Sequence, residues 1–151
     1  MIKFVYLLPI LFLGCATNEP GFDDVNVAHN ACYSYSYGEN GFEVNYQKAF
    51  EWCSIAANLG NSSAQTLLAE LYFYGNGVKQ DLYRASAYYE LAAFKSHPHA
   101  QLMYFLVNNV YLAGESSQEA KEKGINFLRV SAESGYIKAI EVQSEYFGQR
   151  M

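Results

Sequence analysis

Histidine and aspartate are scarce in this chain of 151 residues: His29, His97 and His99, with Asp23, Asp24 and Asp81. A hydrolase needs a nucleophile held by a base, and a third group to orient that base. So few candidates leave little to build one from. No serine sits in a G-x-S-x-G elbow, and Ser62-Ser63, following Gly60-Asn61, reads as a turn and helix cap. The sequence therefore predicts no catalytic residues and no cofactor. His97 and His99 flank Pro98 and offer part of a metal site, but no third ligand stands nearby. Pro98 in the first turn of a helix accounts for the segment better, so no metal is expected. Basic clusters are missing too. Ten Lys and Arg against 15 Asp and Glu leave a net charge of −5, which argues against nucleic acid as a partner. Long apolar runs are also absent. The run from Phe4 to Leu13 holds ten residues, half of the roughly 20 a spanning helix requires.

What that run does fit is an export signal: one basic residue, Lys3, a short apolar centre and then small residues. Leu11-Phe12-Leu13-Gly14-Cys15 resembles a bacterial lipobox, in which cleavage precedes the cysteine and its sulfur receives diacylglycerol. Here Phe12 stands where that pattern prefers leucine. An ordinary signal peptide cut elsewhere is the alternative. Lipidation of Cys15 would anchor the chain stably through its acyl chains. Ala16 resembles the outer-membrane sorting pattern, which implies a periplasm-facing, lipid-anchored protein. The expected organisation is a signal peptide over 1–14, a lipidated tether over 15–24 and a folded domain over 25–151.

The folded domain repeats itself. AFEWCSIAA from Ala49 returns as ASAYYELAA from Ala85, 36 residues later. A fixed period of this size on helical spacing predicts stacked helical hairpins. In the clearest unit Ala64, Leu68, Ala69 and Tyr72 form one helical stripe. Gly75-Asn76-Gly77-Val78 then reverses the chain, Asp81 caps the next helix, and Ala85, Tyr89 and Ala92 share its inner face. Unit one follows with Val27, Ala31, Cys32 and Tyr35, then Asn45 as cap. Unit three follows with Ala100, Tyr104, Phe105 and Asn108, a longer link through Gly114, and a helix begun by Ser116 and Glu119 at capping-box spacing. The step from Ala57 to Ala93 is 36 residues and that from Ala93 to Ala132 is 39, so unit three carries three extra residues. A final helix over about 137–147 caps the array. The predicted fold is all-α: an α/α solenoid of antiparallel hairpins, about three repeats plus a C-terminal capping helix.

LAELYFYGNGVKQDLYRASAYYELAA, with Ala64 four residues ahead, resembles the Sel-one-like repeat family, relatives of tetratricopeptide repeats. The likeness runs from about residue 25 to 148, strongest in unit two. Where the family carries a close-packing glycine this chain has Cys32, Ala69 and Phe105. Phe105 is bulky, so the third hairpin is expected to splay. The resemblance implies a non-catalytic adaptor or scaffold for another protein. A periplasmic immunity protein that neutralises a secreted toxin is one alternative, and a cell-wall or β-lactam-acting hydrolase is another. It also implies that the first helix of each unit lines a concave side. On those helices the positions off the core stripe are His29, Tyr33, Ser36 and Tyr37, then Thr66, Glu70, Phe73 and Tyr74, then Leu102, Leu106 and Asn109, then Glu141 and Glu145. Of these, Tyr33, Tyr37, Glu70, Phe73, Tyr74, Asn109, Glu141 and Glu145 are the candidate protein-binding residues, aromatic anchors with an acidic edge. Cys32 and Cys53 lie near one another on facing helices. Two readings stay open: a disulfide, or two buried reduced thiols.

Overall fold

A computed structural model of the protein describes residues 24–148. The expected signal peptide, Cys15 and all of the tether except Asp24 lie outside the described residues. Among the described residues regular structure is entirely helical: α1 (Val25–Tyr37), α2 (Tyr46–Asn58), α3 (Ser62–Tyr74), α4 (Leu82–Phe94), α5 (Pro98–Leu106) running into a π-helical turn (Val107–Tyr111), α6 (Gln118–Glu133) and α7 (Ile137–Gly148). None of these helices is long and apolar enough to cross a membrane. Helices α1 and α2, α3 and α4, and α5 and α6 pair as hairpins; α2 packs on α3, α4 on α5 and α6 on α7.

Side chains that accept from otherwise unpaired first-turn amides fix the helix starts. Asp24, Asn45, Asn61, Asp81, His97 and Ser117 do so in turn. Ser117 caps α6 where Ser116 was expected. The Ser116 hydroxyl instead donates to Asn108 Oδ1 at 3.0 Å. Glycines in the left-handed region end α1 and α3, Gly38 at φ 71° and Gly75 at φ 75°. Gly77 is fixed more tightly still. A Cβ there would lie 2.3 Å from the Tyr46 carbonyl oxygen, so the second hairpin's turn presses directly on the start of α2.

The core is a stripe of small residues with large ones between hairpins. Ala49, Cys53, Ala56, Ala64, Ala69, Ala85, Ala92 and Ala100 are all fully buried. They let helix axes close up, while Phe50 meets Tyr72 edge-on at 5.4 Å and Tyr72 stacks on Tyr88 at 5.9 Å. In α1 the buried alanine is Ala28; Val27 is only half-buried, so the inner stripe begins one residue later than the sequence spacing indicated. Cys32 and Cys53 are joined by a disulfide, with Cα atoms 4.7 Å apart.

The third hairpin departs from two expectations. Its three extra residues do not lengthen the link. They extend α6, which has 16 residues where α2 and α4 have 13 each. Gln118, Glu119, Lys121 and Glu122 are good helix formers, and Ser117 starts the helix ahead of them. Nor does Phe105 splay the crossing. It is fully buried, and a Cβ on Gly124 of α6 would come within 3.2 Å of the Phe105 Cα. The small residue has moved to the partner helix, and the Phe105 ring turns away to meet Tyr146 of α7 edge-on at 4.8 Å. There Phe105 joins Leu102, Leu128, Ala132 and Ala139 in a second apolar cluster that holds the last helix.

Candidate functional site

A groove of about 300 Å³ opens between α1, α3 and the start of α5. Its α1 wall is His29, Tyr33 and Tyr37, one turn apart from each other; its floor is Ser63, Thr66, Leu67 and Glu70 of α3; His97 and His99 close the far side. Tyr37, Leu67 and Glu70 continue into a neighbouring hollow of about 170 Å³ with Ser36, Tyr46, Leu71, Tyr74 and Asn76. Helical spacing puts the α1 side chains on one face. The disulfide to α2 at Cys32, the residue before Tyr33, fixes the helix that bears them.

Glu70 is the charged centre. His99 Nε2 lies 2.9 Å from Glu70 Oε1, and His99 Nδ1 lies 3.0 Å from the Tyr136 hydroxyl. An ionised carboxylate only accepts, which puts a proton on Nε2, while Nδ1 and the Tyr136 hydroxyl share a second hydrogen bond. The imidazole thus holds the carboxylate in place and is itself held by the loop between α6 and α7. Burial and then the Glu70 charge push the Tyr37 phenol up to about 12. On α4 Tyr89 is fully buried, and the same two causes in the same order raise its phenol. Burial, followed by the neighbouring His99, lowers His97 below the ordinary histidine value. Neither hollow has a lysine or arginine among its described lining residues.

The structure brings Tyr33, Tyr37, Glu70 and Tyr74 together on this face. It removes Phe73. That ring is only 8% exposed, packed edge-on against Tyr74 at 4.9 Å and Tyr111 at 5.1 Å. It belongs to the core cluster, with the Tyr111 ring of the π-helical turn against it. Thr66 and Leu102 are buried as well. Asn109 turns inward onto α6, where its Nδ2 donates to the Lys121 carbonyl at 3.1 Å; the gap left by Gly124 admits it. Glu145 lines a separate hollow with Phe105, Leu106, Val110, Val142 and Tyr146, and Glu141 is exposed and lines neither groove. His97 and His99, which the sequence offers as part of a metal site, complete the groove instead. The signal was present: His99 stands 36 residues after Ser63, which also lines it. Among the described residues no group of three or more His, Cys, Asp or Glu is placed to hold a metal ion.

The Sel1 repeat family model matches residues 26–61 and 62–94. A solved Sel1 repeat protein from Oxalobacter formigenes is 28% identical with a TM-score of 0.64, over 81% of this chain and 50% of its own. A protective antigen present in uropathogenic Escherichia coli strains, displaying an SLR fold, is 25% identical with a TM-score of 0.69, over 81% of this chain and 25% of its own. The chain thus spans half the length of the first and a quarter of the second. No curated protein matches it. The repeat period, the hairpin geometry and these likenesses agree: the chain carries two Sel1 repeats, residues 26–61 and 62–94, within an α/α solenoid of the Sel1 type.

Proposed function

We propose that the protein is a non-catalytic binding module, held by a lipid on Cys15 at the periplasmic side of the bacterial outer membrane, that grips a segment of another protein as an adaptor or scaffold. Sel1 repeats generally mediate protein–protein binding. The observation that carries the reading is the convergence of Tyr33, Tyr37, Glu70 and Tyr74 from two helices on one face with two adjoining hollows. Tyr33 and Tyr37 are 39% and 50% exposed although each has a large apolar ring, and their centroids lie 4.8 Å apart. Exposed tyrosines on a rigid helix suit an interface, because they offer area at small entropic cost. The anchor rests on the Leu11–Cys15 pattern, and an oxidising compartment suits the Cys32–Cys53 pair.

The test is a displayed library of random 12-residue peptides selected on the whole chain purified from membranes in detergent. Peptides retained by the wild type are expected to be lost by the double variant Tyr33→Ala, Tyr37→Ala, with its melting temperature within a few degrees of the parent. Retention by that variant would move binding off the groove. Cys15→Ala is expected to shift the chain from the membrane fraction to the soluble one; continued membrane association would remove the anchor from the reading.

A further inference from the structure

We infer that the groove between α1, α3 and the start of α5 is a receptor for one arginine side chain of the bound segment, with Glu70 as its counter-ion and the Tyr33 and Tyr37 rings as its walls. The inference rests on the binding role proposed above and narrows it to a chemistry. Three features favour a guanidinium over other side chains. The first is charge. The carboxylate of Glu70 sits in the hollow, and none of the described residues lining it or its neighbour is a lysine or arginine. Burial first, and then the Glu70 charge, raise the Tyr37 phenol to about 12. The second is shape. At about 300 Å³ the hollow lies at the floor of the range for small-molecule sites, roughly 300–1,000 Å³. That suits a single long side chain better than a folded surface. The third is the pairing of aromatic faces with a carboxylate. A guanidinium stacks on tyrosine and is less strongly hydrated than an ammonium, so it enters a half-buried aromatic site at lower cost.

The carboxylate remains able to accept. His99 uses one lone pair of Oε1, and two oxygens offer about four such sites. Tyr136 occupies the other nitrogen of His99, so the ring is held in place on both sides. Burial, and then His99, lower the pKa of His97, which favours its neutral form. Glu70 is therefore presented at fixed geometry with spare acceptor capacity, the arrangement that makes a charge-assisted bond specific.

Four capped pentapeptides, acetyl-Gly-Gly-Xaa-Gly-Gly-amide with Xaa arginine, citrulline, lysine or glutamate, test this by NMR titration of the whole chain in detergent. Citrulline keeps the shape of arginine and removes the charge. The arginine peptide is expected to shift the Tyr33 and Tyr37 ring resonances saturably, at least about tenfold more tightly than the citrulline peptide and more tightly than the lysine one. Glu70→Gln retains an oxygen for His99 and so preserves the fold; it is expected to bring the arginine peptide down to the citrulline level. Citrulline or glutamate binding as well as arginine would overturn the inference, as would arginine shifts that map away from the groove or survive in Glu70→Gln. Those failures leave the wider binding role intact if library peptides are still captured through Tyr33 and Tyr37. Loss of that capture would instead end both.

Discussion

Ser96 follows the C-terminus of α4 with φ at 60°, in the left-handed region. At the matching places in the other two hairpins stand Gly60 and Gly135, each with φ at 88°. All three positions do the same work. The amides of Gly60, Ser96 and Gly135 donate to the carbonyls of Ala57, Ala93 and Ala132, closing the helix end. A side chain there costs about 1–2 kcal/mol through Cβ crowding, less the about 0.5–1 kcal/mol that glycine loses in chain entropy. Ser96→Gly is therefore expected to raise stability by about 0.5–1 kcal/mol, seen as a midpoint shift in urea unfolding at unchanged slope. A lower midpoint would show that the serine side chain is needed. At this scale the groove was only partly readable from sequence. Tyr33, Tyr37, Glu70 and Tyr74 follow from counting residues off the stripe, which sets direction. Phe73 and Asn109 obey the same count but are covered by a neighbouring element, the π-helical turn for one and the glycine gap in α6 for the other. Direction from a helix axis is local; burial is decided by what arrives from elsewhere.

The start of α5 shows how an element can depend on protonation. His97 is its N-cap, with Nδ1 accepting from the Ala100 amide at 3.4 Å, and Pro98 follows in the first turn. A protonated ring has no acceptor to offer, and burial together with His99 already lowers the His97 pKa, while Glu70 acts the other way. The folded protein therefore resists taking up a proton that the unfolded chain accepts near pH 6.5. Stability from this residue is complete above that pH and declines as the solution is acidified through the lowered folded value. His97→Asn keeps a cap acceptor and removes the titration. Its melting temperature is expected to fall less than the parent's between about pH 7.5 and 5.5, by calorimetry; parallel curves would exclude His97 as the source. Most elements are legible in the sequence alone, because capping residues such as Asn45 and Asp81 and turn glycines such as Gly75 announce them locally. The extra turn in α6 was not. A three-residue offset between Ala93 and Ala132 says that residues were added, and not whether a helix or a link received them.

Across the whole molecule the hairpins interact with their neighbours in series, so stability is a sum of local units and interfaces. One bond recurs between them: the side-chain amides of Gln65 and Gln101 donate to the Ala57 and Ala93 carbonyls, 3.2 Å in both cases, each tying a helix to the one before it. The disulfide is different in kind, since it lies within the first hairpin and spans 21 residues. In the chain-entropy account a loop of that length is worth about 3 kcal/mol. Reduction is expected to speed amide exchange in α1 and α2 by up to roughly 100-fold, corresponding to about 3 kcal/mol, while α5 to α7 keep their protection. Equal loss along the chain would mean that the array unfolds as one unit. Because Tyr33 and Tyr37 ride on α1, the same treatment is expected to weaken capture of groove-selected peptides.

Phe105 and Gly124 carry a wider lesson about how such seams tolerate change. What the crossing needs is one position slim enough for backbones to approach, and either helix is free to supply it. A designer therefore has a two-sided dial at each hairpin. Trading Phe105 for glycine without refilling Gly124 would hollow the joint and strip α7 of its anchor, whereas reciprocal exchanges of bulk would re-aim the final rod and leave the first two units undisturbed.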